Sequence, residues 1–335
     1  GLGAYYTPKD ITQAICKWAI QSPNEYVLEP SFGGCGFLES AIERLTQLGC
    51  EQPHSYLFGS DIDPKAFDFL SEKLKTLEVL NQRFLQKDFL KISPAEFQVT
   101  SFQSVIGNPP YISLHNLTDD QKKSVMDWRK NHPELKISQR ASLWAYFVLH
   151  SMQFLNENGR MAWVLPGSFL DTFYGEQLQQ ILLEKFGFIC ILTLGERAFI
   201  DEGTEERTVV LLCDRFGEST ESATSKYCST LAGLVETLNS PETTIEDTDD
   251  LDYKLYQEIM QNENTVSLGD LCSILIGTVT GANNFFVLSP SSANKLGLEN
   301  EYLNPILAKF NLVEGVRVSP ADVDNWKANN YRCLI

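Results

Sequence analysis

The sequence predicts an α/β fold in which a parallel sheet carries helices on both faces, followed by the beginning of a second domain. Three observations support this prediction. Short apolar strands alternate with helical segments through residues 8–214, which is the pattern of parallel βαβ units. A glycine-rich loop follows the first predicted strand, and acidic or amide side chains follow the next three. Open α/β sheets bind their ligands at such strand ends.

The predicted elements follow in a regular order. Apolar residues at three- and four-residue spacing over 8–21 predict a helix that begins near Pro8, because proline is favoured in a first helical turn. Residues 112–136 are polar and mixed, and no helix or strand is assigned to them. The other helices are predicted at 37–48, 64–79, 139–157 and 177–186, and the strands at 26–28, 56–59, 84–86, 104–107, 161–165, 188–194 and 207–213.

Composition and charge limit the class of protein. The hydrophobic fraction of 43% and the charged fraction of 21% are typical of a globular protein, and no apolar run is long enough to span a bilayer. The N-terminal residues lack the basic start and apolar core of a signal peptide. The eight cysteines form no C-x-x-C pair and the four histidines show no metal-ligand spacing. Free thiols in a reducing cytoplasm, and no metal, are therefore expected.

The net charge of −17 argues against a nucleic-acid-binding protein, because such proteins usually carry basic surface. The acidic residues are unevenly distributed, however. Residues 216–265 contribute −9, and the rest of the chain contributes −8. The regular pattern of strands and helices also stops after residue 214. Residues 215–265 are therefore predicted to form an acidic linker or insert.

The first candidate ligand site is the loop 29–37, Glu-Pro-Ser-Phe-Gly-Gly-Cys-Gly-Phe. Its glycines, Gly34 and Gly36 among them, allow the backbone to approach a ligand closely. Glu39 stands where the dinucleotide-binding pattern requires a third glycine, and Glu29 would repel a pyrophosphate. A carboxylate beside glycines suits a ligand with a cationic amine, such as the methionine part of S-adenosylmethionine. The alternative for this loop alone is a tight turn without a ligand.

Two further strand ends carry acidic residues. Asp61 ends the second strand, at a distance from the glycine loop that suits contact with ribose hydroxyls. Asp63 is assigned the alternative role of capping the next helix, because Pro64 follows it directly, and this leaves Asp61 free. Asp88 ends the third strand and can accept a hydrogen bond from an adenine amino group, with Phe89 against the ring.

The predicted catalytic centre is Asn108-Pro109-Pro110-Tyr111, directly after the fourth strand. An aromatic amine is a weak nucleophile because its lone pair is delocalised into the ring. Two acceptors for its hydrogens, the Asn108 side-chain oxygen and the Pro109 carbonyl, would free that lone pair. Consecutive prolines fix the backbone that holds the carbonyl. Tyr111 offers a ring on which a base can stack, and a base inside a duplex must be flipped out to reach it. A plain proline turn is the alternative.

Together these motifs resemble the gamma-class amino-methyltransferases of DNA, the TaqI-like adenine methylases of restriction–modification systems. The resemblance covers residues 4–214 and continues weakly into 266–288. It implies a Rossmann-like S-adenosylmethionine-dependent methyltransferase fold, with S-adenosylhomocysteine as the product. In this family's pattern Thr7, Ser31 and Ile62 join the residues above as cofactor contacts. Phe199, in the loop Gly195-Glu196-Arg197-Ala198-Phe199, is implied to stack on the flipped adenine.

The resemblance also implies an arrangement of domains and partners. Residues 1–214 correspond to the catalytic domain, and residues 266–335 correspond to the start of a target-recognition domain that continues beyond this chain. The expected partners are double-stranded DNA and either a restriction nuclease or the rest of a longer parent chain, with no membrane. Residues 266–335 hold five Lys or Arg and six Asp or Glu. The chain is therefore expected to bind cofactor but to grip DNA poorly.

Three other functions are compatible with parts of the pattern. Protein-glutamine methyltransferases share the Asn-Pro-Pro-Tyr loop, because a glutamine amide poses the same problem of a delocalised nitrogen. They usually place a helical domain before the glycine loop, whereas here Tyr5-Tyr6-Thr7-Pro8, which resembles the upstream motif of the DNA methylases, lies within thirty residues of it. RNA-base methyltransferases are closer rivals, since base stacking does not distinguish RNA from DNA. A cofactor-bound scaffold without activity is the remaining alternative, and the intact Asn108 and Tyr111 argue against it.

Overall fold

A computed structural model of the chain describes residues 7–74, 83–97, 99, 101–195, 207–239, 259, 287–299, 303–306 and 319–331. The chain divides into two compact units, Gly1–Glu258 and Ile259–Ile335, and each is described by itself. No helix in the described part of the chain is both long and apolar enough to cross a bilayer.

The first unit is built on one eight-stranded sheet with the order β3-β2-β1-β4-β5-β7-β6-β8. Strand β1 is buried throughout, and β2, β4, β6 and β7 are buried over most of their length, as expected for a sheet that is covered on both faces. The strands are β1 (Val27–Pro30), β2 (Leu57–Asp61), β3 (Phe84–Gln86), β4 (Phe102–Gly107), β5 (Leu155–Pro166), β6 (Phe186–Leu194), β7 (Thr208–Phe216) and β8 (Thr224–Cys228).

The sheet is mixed, and the prediction of a wholly parallel sheet is wrong in one strand. Strands β1 to β5 pair in parallel, and β6 pairs in parallel with β8, but β7 is antiparallel to both β5 and β6. Leu194 at the end of β6 pairs with Thr208 at the start of β7. The apolar runs of β6 and β7 look alike in either direction, because both strands are buried on both faces. Composition therefore could not reveal the reversal.

Ten helices are described. Eight belong to the first unit: α1 (Lys9–Ala19), α2 (Gly36–Gln47), α3 (Pro64–Leu74), α4 (Asp119–Asn131), α5 (Leu143–Ser151), α6 (Ser168–Asp171), α7 (Phe173–Leu183) and α8 (Leu231–Asn239). Two belong to the second unit: α9 (Pro290–Lys295) and α10 (Pro320–Ala328). Short 3₁₀ turns connect several of these elements.

Two predictions for residues 112–157 differ from the structure. The helix predicted at 139–157 is shorter, because α5 ends at Ser151 and Leu155 already pairs with Phe102 in the sheet. Within the segment 112–136, where no element was assigned, α4 begins with a capping box. The Gln121 N–H donates to the Thr118 hydroxyl, and the Gln121 side chain accepts from the Thr118 N–H. This Thr-x-x-Gln signature was legible in the sequence.

The acidic segment 215–265 was predicted to be a linker, but its first part belongs to the sheet. Strand β8 lies at one edge beside β6, and Cys228 is buried there. Helix α8 follows, buries Leu234 and Leu238, and packs against α1. These two leucines have helical spacing, but the acidic composition of residues 216–265 as a whole concealed this short apolar run. In the second unit, Trp326 of α10 packs against Ala293 of α9; most of the segment 266–288 lies outside the described residues.

The two faces of the sheet hold separate cores. Alternate residues of β1, β2 and β4 point to opposite faces, as the strand period requires. Val27, Leu57 and Ile106 pack beneath α1, α2 and α3. Leu28, Phe58 and Val105 pack on the other face with α4, α5 and α7. Strands β1, β2 and β4 are parallel, so the loops that leave their carboxyl ends meet at one edge of the sheet.

Candidate functional site

A cavity of about 380 Å³ opens at this edge of the sheet. A volume of that size is typical of small-molecule sites in proteins. Its lining comes from the loops after β1, β2, β3 and β4, together with α1, α3, α4 and α5. The lining includes all ten residues predicted to contact a cofactor: Thr7, Glu29, Ser31, Gly34, Gly36, Asp61, Ile62, Asp88, Phe89 and Asn108.

The glycine loop bends sharply over the cavity. Ser31, Gly33 and Cys35 adopt left-handed backbone conformations with φ of 74°, 45° and 65°, so two of these positions are not glycine. The Ser31 N–H donates to the Ser60 carbonyl at 2.7 Å, which ties the loop to the end of β2. At Gly36 an added Cβ would meet no atom within 4 Å. The loop therefore leaves open space where α2 begins, and a ligand can approach the backbone there.

Asp61 holds this loop and faces the cavity as well. One of its carboxylate oxygens accepts the Gly33 N–H at 2.9 Å, and the other accepts the Asp63 N–H at 2.8 Å. Both Asp61 oxygens therefore accept hydrogen bonds within the protein, whereas the sequence had predicted a free carboxylate. Asp63 has its predicted capping role, since it accepts the Lys65 N–H at 3.0 Å. Each Asp61 oxygen still has a second lone pair, so the carboxylate can also accept hydroxyl groups of a ligand.

Glu29 lies at the floor of the cavity and is 2% exposed. Its Oε2 atom is buried and has no hydrogen-bond partner among the described residues. Burial, and then the nearby Asp61 carboxylate, raise the pKa of Glu29 well above its ordinary value, while the Leu38 backbone N–H opposes the rise. A buried carboxylate oxygen without a partner is costly. A cationic group bound beside Glu29 would remove that cost, so this position fits the ammonium of an amino-acid ligand.

This arrangement predicts that cofactor affinity rises with pH. The raised pKa keeps Glu29 protonated in the free protein at pH values where a glutamate is ordinarily ionised, whereas a bound ammonium favours the ionised form. Binding therefore releases a proton. Affinity should therefore increase with pH up to the raised pKa of Glu29, as long as the amine of the ligand stays protonated. Titration calorimetry in two buffers with different ionisation enthalpies measures the released proton.

The matched variant for this test is Glu29→Gln, which keeps the size of the side chain and removes its titration. It should bind the cofactor more weakly and release less proton on binding. Equal proton release by the wild type and by Glu29→Gln would contradict the proposed pairing of Glu29 with the ammonium.

The far end of the cavity offers apolar surface. Ile62 is 51% exposed and lines the cavity. Phe89 contributes to the wall, but its ring is buried against Phe147 and His150, with centroid distances of 5.2 and 4.8 Å. Asp88 accepts the Leu90 N–H at 3.1 Å. Ile62 thus offers apolar surface to a ligand in the cavity, and Asp88 offers a carboxylate.

The Asn-Pro-Pro-Tyr loop borders the same cavity. The Asn108 side-chain amide donates to the Thr7 hydroxyl at 3.2 Å, which orients the amide with its nitrogen towards Thr7. The Asn108 carbonyl accepts the Ser31 hydroxyl at 3.4 Å. The Tyr111 hydroxyl donates to the Val164 carbonyl on β5 at 3.1 Å, and this bond to the sheet fixes the position of the tyrosine ring. Pro110 lines the cavity, whereas Pro109 and Tyr111 lie beyond its lining. Phe199 lies outside the described residues.

Sequence reasoning missed several side chains that line the cavity. Thr12 of α1 is buried and bonds to Ser40 of α2, with 2.7 Å between the hydroxyl oxygens. Gln121 of α4 lines the cavity from the segment to which no element had been assigned. The others include Ser60, Lys65, Phe69, Leu143 and Phe147. These residues belong to helices and strand interiors, so nothing in their local sequence distinguishes them from packing residues.

Comparison with known proteins gives two family matches. Residues 1–224 match the family model described as N-6 DNA Methylase. Residues 248–335 match the model described as Type II methyltransferase M.Eco57I, C-terminal domain. The boundary between the two matches falls in the acidic segment.

Among curated proteins, the chain is 22% identical over 321 residues to Type II methyltransferase M.AccI of Acinetobacter calcoaceticus, covering 90% of this chain and 56% of that protein. It is 24% identical over 332 residues to Type II methyltransferase M.XamI of Xanthomonas campestris pv. amaranthicola, covering 96% and 60%. The chain therefore spans less than two thirds of these relatives.

Solved structures share the fold. The methyltransferase subunit of a type I restriction–modification system from Streptococcus thermophilus superposes with a TM-score of 0.58 at 20% identity, over 72% of this chain and 54% of that one. The Type ISP restriction–modification enzyme LlaGI, in complex with a DNA substrate mimic, gives a TM-score of 0.51 at 14% identity, over 72% and 30%. At these identities the likeness is one of fold, and it is a methyltransferase fold.

Proposed function

Because the chain belongs to the N-6 DNA methylase family, we propose that it transfers a methyl group from S-adenosylmethionine to the exocyclic amine of adenine in DNA. One observation carries the proposal. Asn108 lines the same cavity as Glu29 and Asp61, so the proposed hydrogen-bond acceptor for the target amine and the proposed cofactor contacts share one space. The proposed partners are duplex DNA and a restriction nuclease, and the proposed location is the cytoplasm.

The cavity fits the chemical groups of S-adenosylmethionine. The Glu29 Oε2 atom, which is buried without a partner among the described residues, can accept a hydrogen bond from the methionine ammonium. The Asp61 carboxylate has lone pairs for the two ribose hydroxyls, and Ile62 and Asp88 suit the adenine ring and its amino group. Thr7, Ser31, Gly34 and the open backbone at Gly36 complete the set. When bound, the cofactor supplies a methyl group on a positively charged sulfur, which needs no further activation.

The protein's part in the reaction is to present the target amine. The Asn108 side-chain oxygen and the Pro109 carbonyl would accept its two hydrogens and so free the lone pair to form the N–C bond as the C–S bond of the donor breaks. The methylated nitrogen would then lose one of these hydrogens as a proton. Because the methyl donor is already activated, positioning supplies most of the rate. Thr7 fixes the amide of Asn108, and the link from Tyr111 to Val164 fixes the aromatic surface for the base. An adenine must leave the duplex to reach this loop, and Phe199 is the proposed second stacking surface.

The test is to supply the chain with S-adenosylmethionine that carries a labelled methyl group, together with duplex DNA, RNA or protein. Digestion of the products to nucleosides and amino acids then locates the label. We expect N6-methyladenine from DNA. Label in RNA bases or in glutamine would replace the proposal with one of the rival functions. Cofactor binding without any transfer would indicate a scaffold.

Association with a nuclease has support of a different kind. One relative, RM.Eco57I of Escherichia coli, is described as a Type II restriction enzyme and methyltransferase in one protein, and 38% of this chain matches it at 21% identity. The C-terminal match of this chain is to the same named group. A gene for a nuclease, or a nuclease domain in the same reading frame, would therefore be expected to accompany this sequence.

A further inference from the structure

The segment 113–142 leaves the catalytic loop and returns to it. The loop ends at Ile112, whose carbonyl accepts the Leu143 N–H at 2.9 Å. Between these two residues run α4 and the turns that follow it, and Gln121 of α4 lines the same cavity as Asn108. We refer to residues 113–142 as the excursion. Both of its ends lie beside the residues to which methyl transfer is assigned.

The excursion is a positive stretch in an acidic chain. It contains six Lys or Arg and four Asp or Glu, a net charge of +2. The residues before it, 1–112, have a net charge of −4, and the residues after it, 143–335, have −15. Composition alone argued against a nucleic-acid partner, but the charge next to the catalytic loop has the sign that such a partner requires.

Three cations of the excursion are available to a partner. Lys123, Lys136 and Arg140 are exposed, and none forms a salt bridge with a carboxylate of the described residues. Two more, Lys122 and Lys130, approach aspartates one turn away on α4 at 3.8 and 3.7 Å. Such exposed pairs contribute little energy, so these lysines can also exchange their partners.

The buried face of α4 attaches the excursion to α5. The Trp128 indole donates to His150 Nδ1 at 2.8 Å, and His150 Nε2 bonds to the Ile92 carbonyl at 2.9 Å. Arg129 donates to the Ile137 carbonyl at 2.8 Å, which joins the following turn to the helix. Because burial lowers the pKa of His150 to about 4, the ring stays neutral and these bonds persist at physiological pH. The exposed cations therefore stand on a rigid support.

We propose that the excursion grips the sugar–phosphate backbone of the DNA beside the target adenine, through Lys123, Lys136 and Arg140. This inference rests on the proposed function, since it requires that the target base lie in DNA. Phosphate contacts are independent of sequence and position the duplex. The excursion thus supplies affinity and placement, whereas choice of the recognition sequence lies elsewhere. It also gives the catalytic unit its own hold on DNA.

The test is the salt dependence of DNA binding by the chain and by Lys123→Ala, Lys136→Ala and Arg140→Ala, separately and combined. The slope of log K against log salt is negative, and each lost phosphate contact should reduce its magnitude by about 0.9. The combined variant should therefore lose about 2.7 from the slope of the wild type, for duplexes of any sequence. Affinity for S-adenosylhomocysteine should not change, because none of the three residues lines the cavity.

The matched control is Lys185→Ala. Lys185 is exposed and precedes β6, so it stands at the opposite edge of the sheet from the catalytic loop, and its removal changes the net charge equally. Its slope should equal that of the wild type. The inference is overturned if the combined variant keeps the wild-type slope, or if Lys185→Ala lowers the slope as much as one excursion variant does.

Methyl transfer by the wild type, measured in parallel, separates this inference from the proposed function. Transfer to DNA with an unchanged slope in the combined variant overturns only the excursion's role. Absence of transfer to DNA, with label in RNA or protein instead, overturns the proposed function and removes the DNA partner as well.

Discussion

Replacement of Asn108 by alanine is expected to abolish methyl transfer while cofactor binding survives. The side-chain oxygen is one of only two acceptors proposed for the target amine. Without it the nitrogen keeps its lone pair in the ring. Loss of a positioned polar group at a reacting centre typically costs about 10²–10³ in rate, and misplacement of the base adds to that cost. We therefore expect a loss of about a thousandfold or more in single-turnover rate, which corresponds to roughly 4 kcal/mol.

The measurement is single-turnover transfer to duplex DNA, with the dissociation constant of S-adenosylhomocysteine determined in parallel. Asn24→Ala is the matched control, because Asn24 is exposed and precedes β1, at the edge of the sheet opposite the catalytic loop. It should retain the wild-type rate. Wild-type activity in Asn108→Ala would remove the role assigned to this residue. A loss of cofactor binding equal to the loss of rate would instead assign Asn108 to the cofactor.

The second large effect is expected from Asp61→Ala, in cofactor affinity rather than in the chemical step. The variant loses charge-assisted bonds to the ribose hydroxyls, and it frees the Gly33 N–H that Asp61 holds at 2.9 Å. Affinity should fall by about 1–3 kcal/mol, or roughly 5- to 150-fold. The rate at saturating cofactor should change much less, because the proposed contact of Asp61 is with the ribose and not with the target amine.

Calorimetric titration with S-adenosylhomocysteine measures this effect, and Asp68→Ala is the control for charge. Asp68 is exposed on α3, seven residues after Asp61. Adenine alone should bind the wild type and Asp61→Ala equally if the loop keeps its shape, because adenine lacks the ribose. Unchanged affinity of Asp61→Ala for the whole cofactor product would contradict the ribose contact.

The cavity was predictable from the sequence because the fold brings strand ends together. Glu29, Asp61, Asp88 and Asn108 follow four different strands, and the carboxyl ends of parallel strands meet at one edge of a sheet. Chain order and strand assignment were therefore enough to gather seven of the ten residues into one site, and the family resemblance added Thr7, Ser31 and Ile62. The type of residue at each strand end then indicated the ligand, a cation beside Glu29 and hydroxyls beside Asp61.

The remaining features depend on contacts that no local pattern records. The bond from Asn108 to Thr7 joins residues 101 positions apart, and the bond from Asp61 to Gly33 joins two loops. The direction of β7 depends on its pairing with β5 and β6, because its apolar run fits either direction. Helix α4 is a different case. Its capping box, Thr118–Gln121, was recognisable in the sequence, but the polar composition of the segment concealed the helix.

The most direct test of the account is a crystal structure of this chain with S-adenosylhomocysteine. The account predicts the ligand's ammonium beside the Glu29 carboxylate, its ribose hydroxyls on Asp61 and its sulfur turned towards the Asn108 side-chain oxygen. A ligand bound outside this cavity, or one whose sulfur faces away from Asn108, would contradict it.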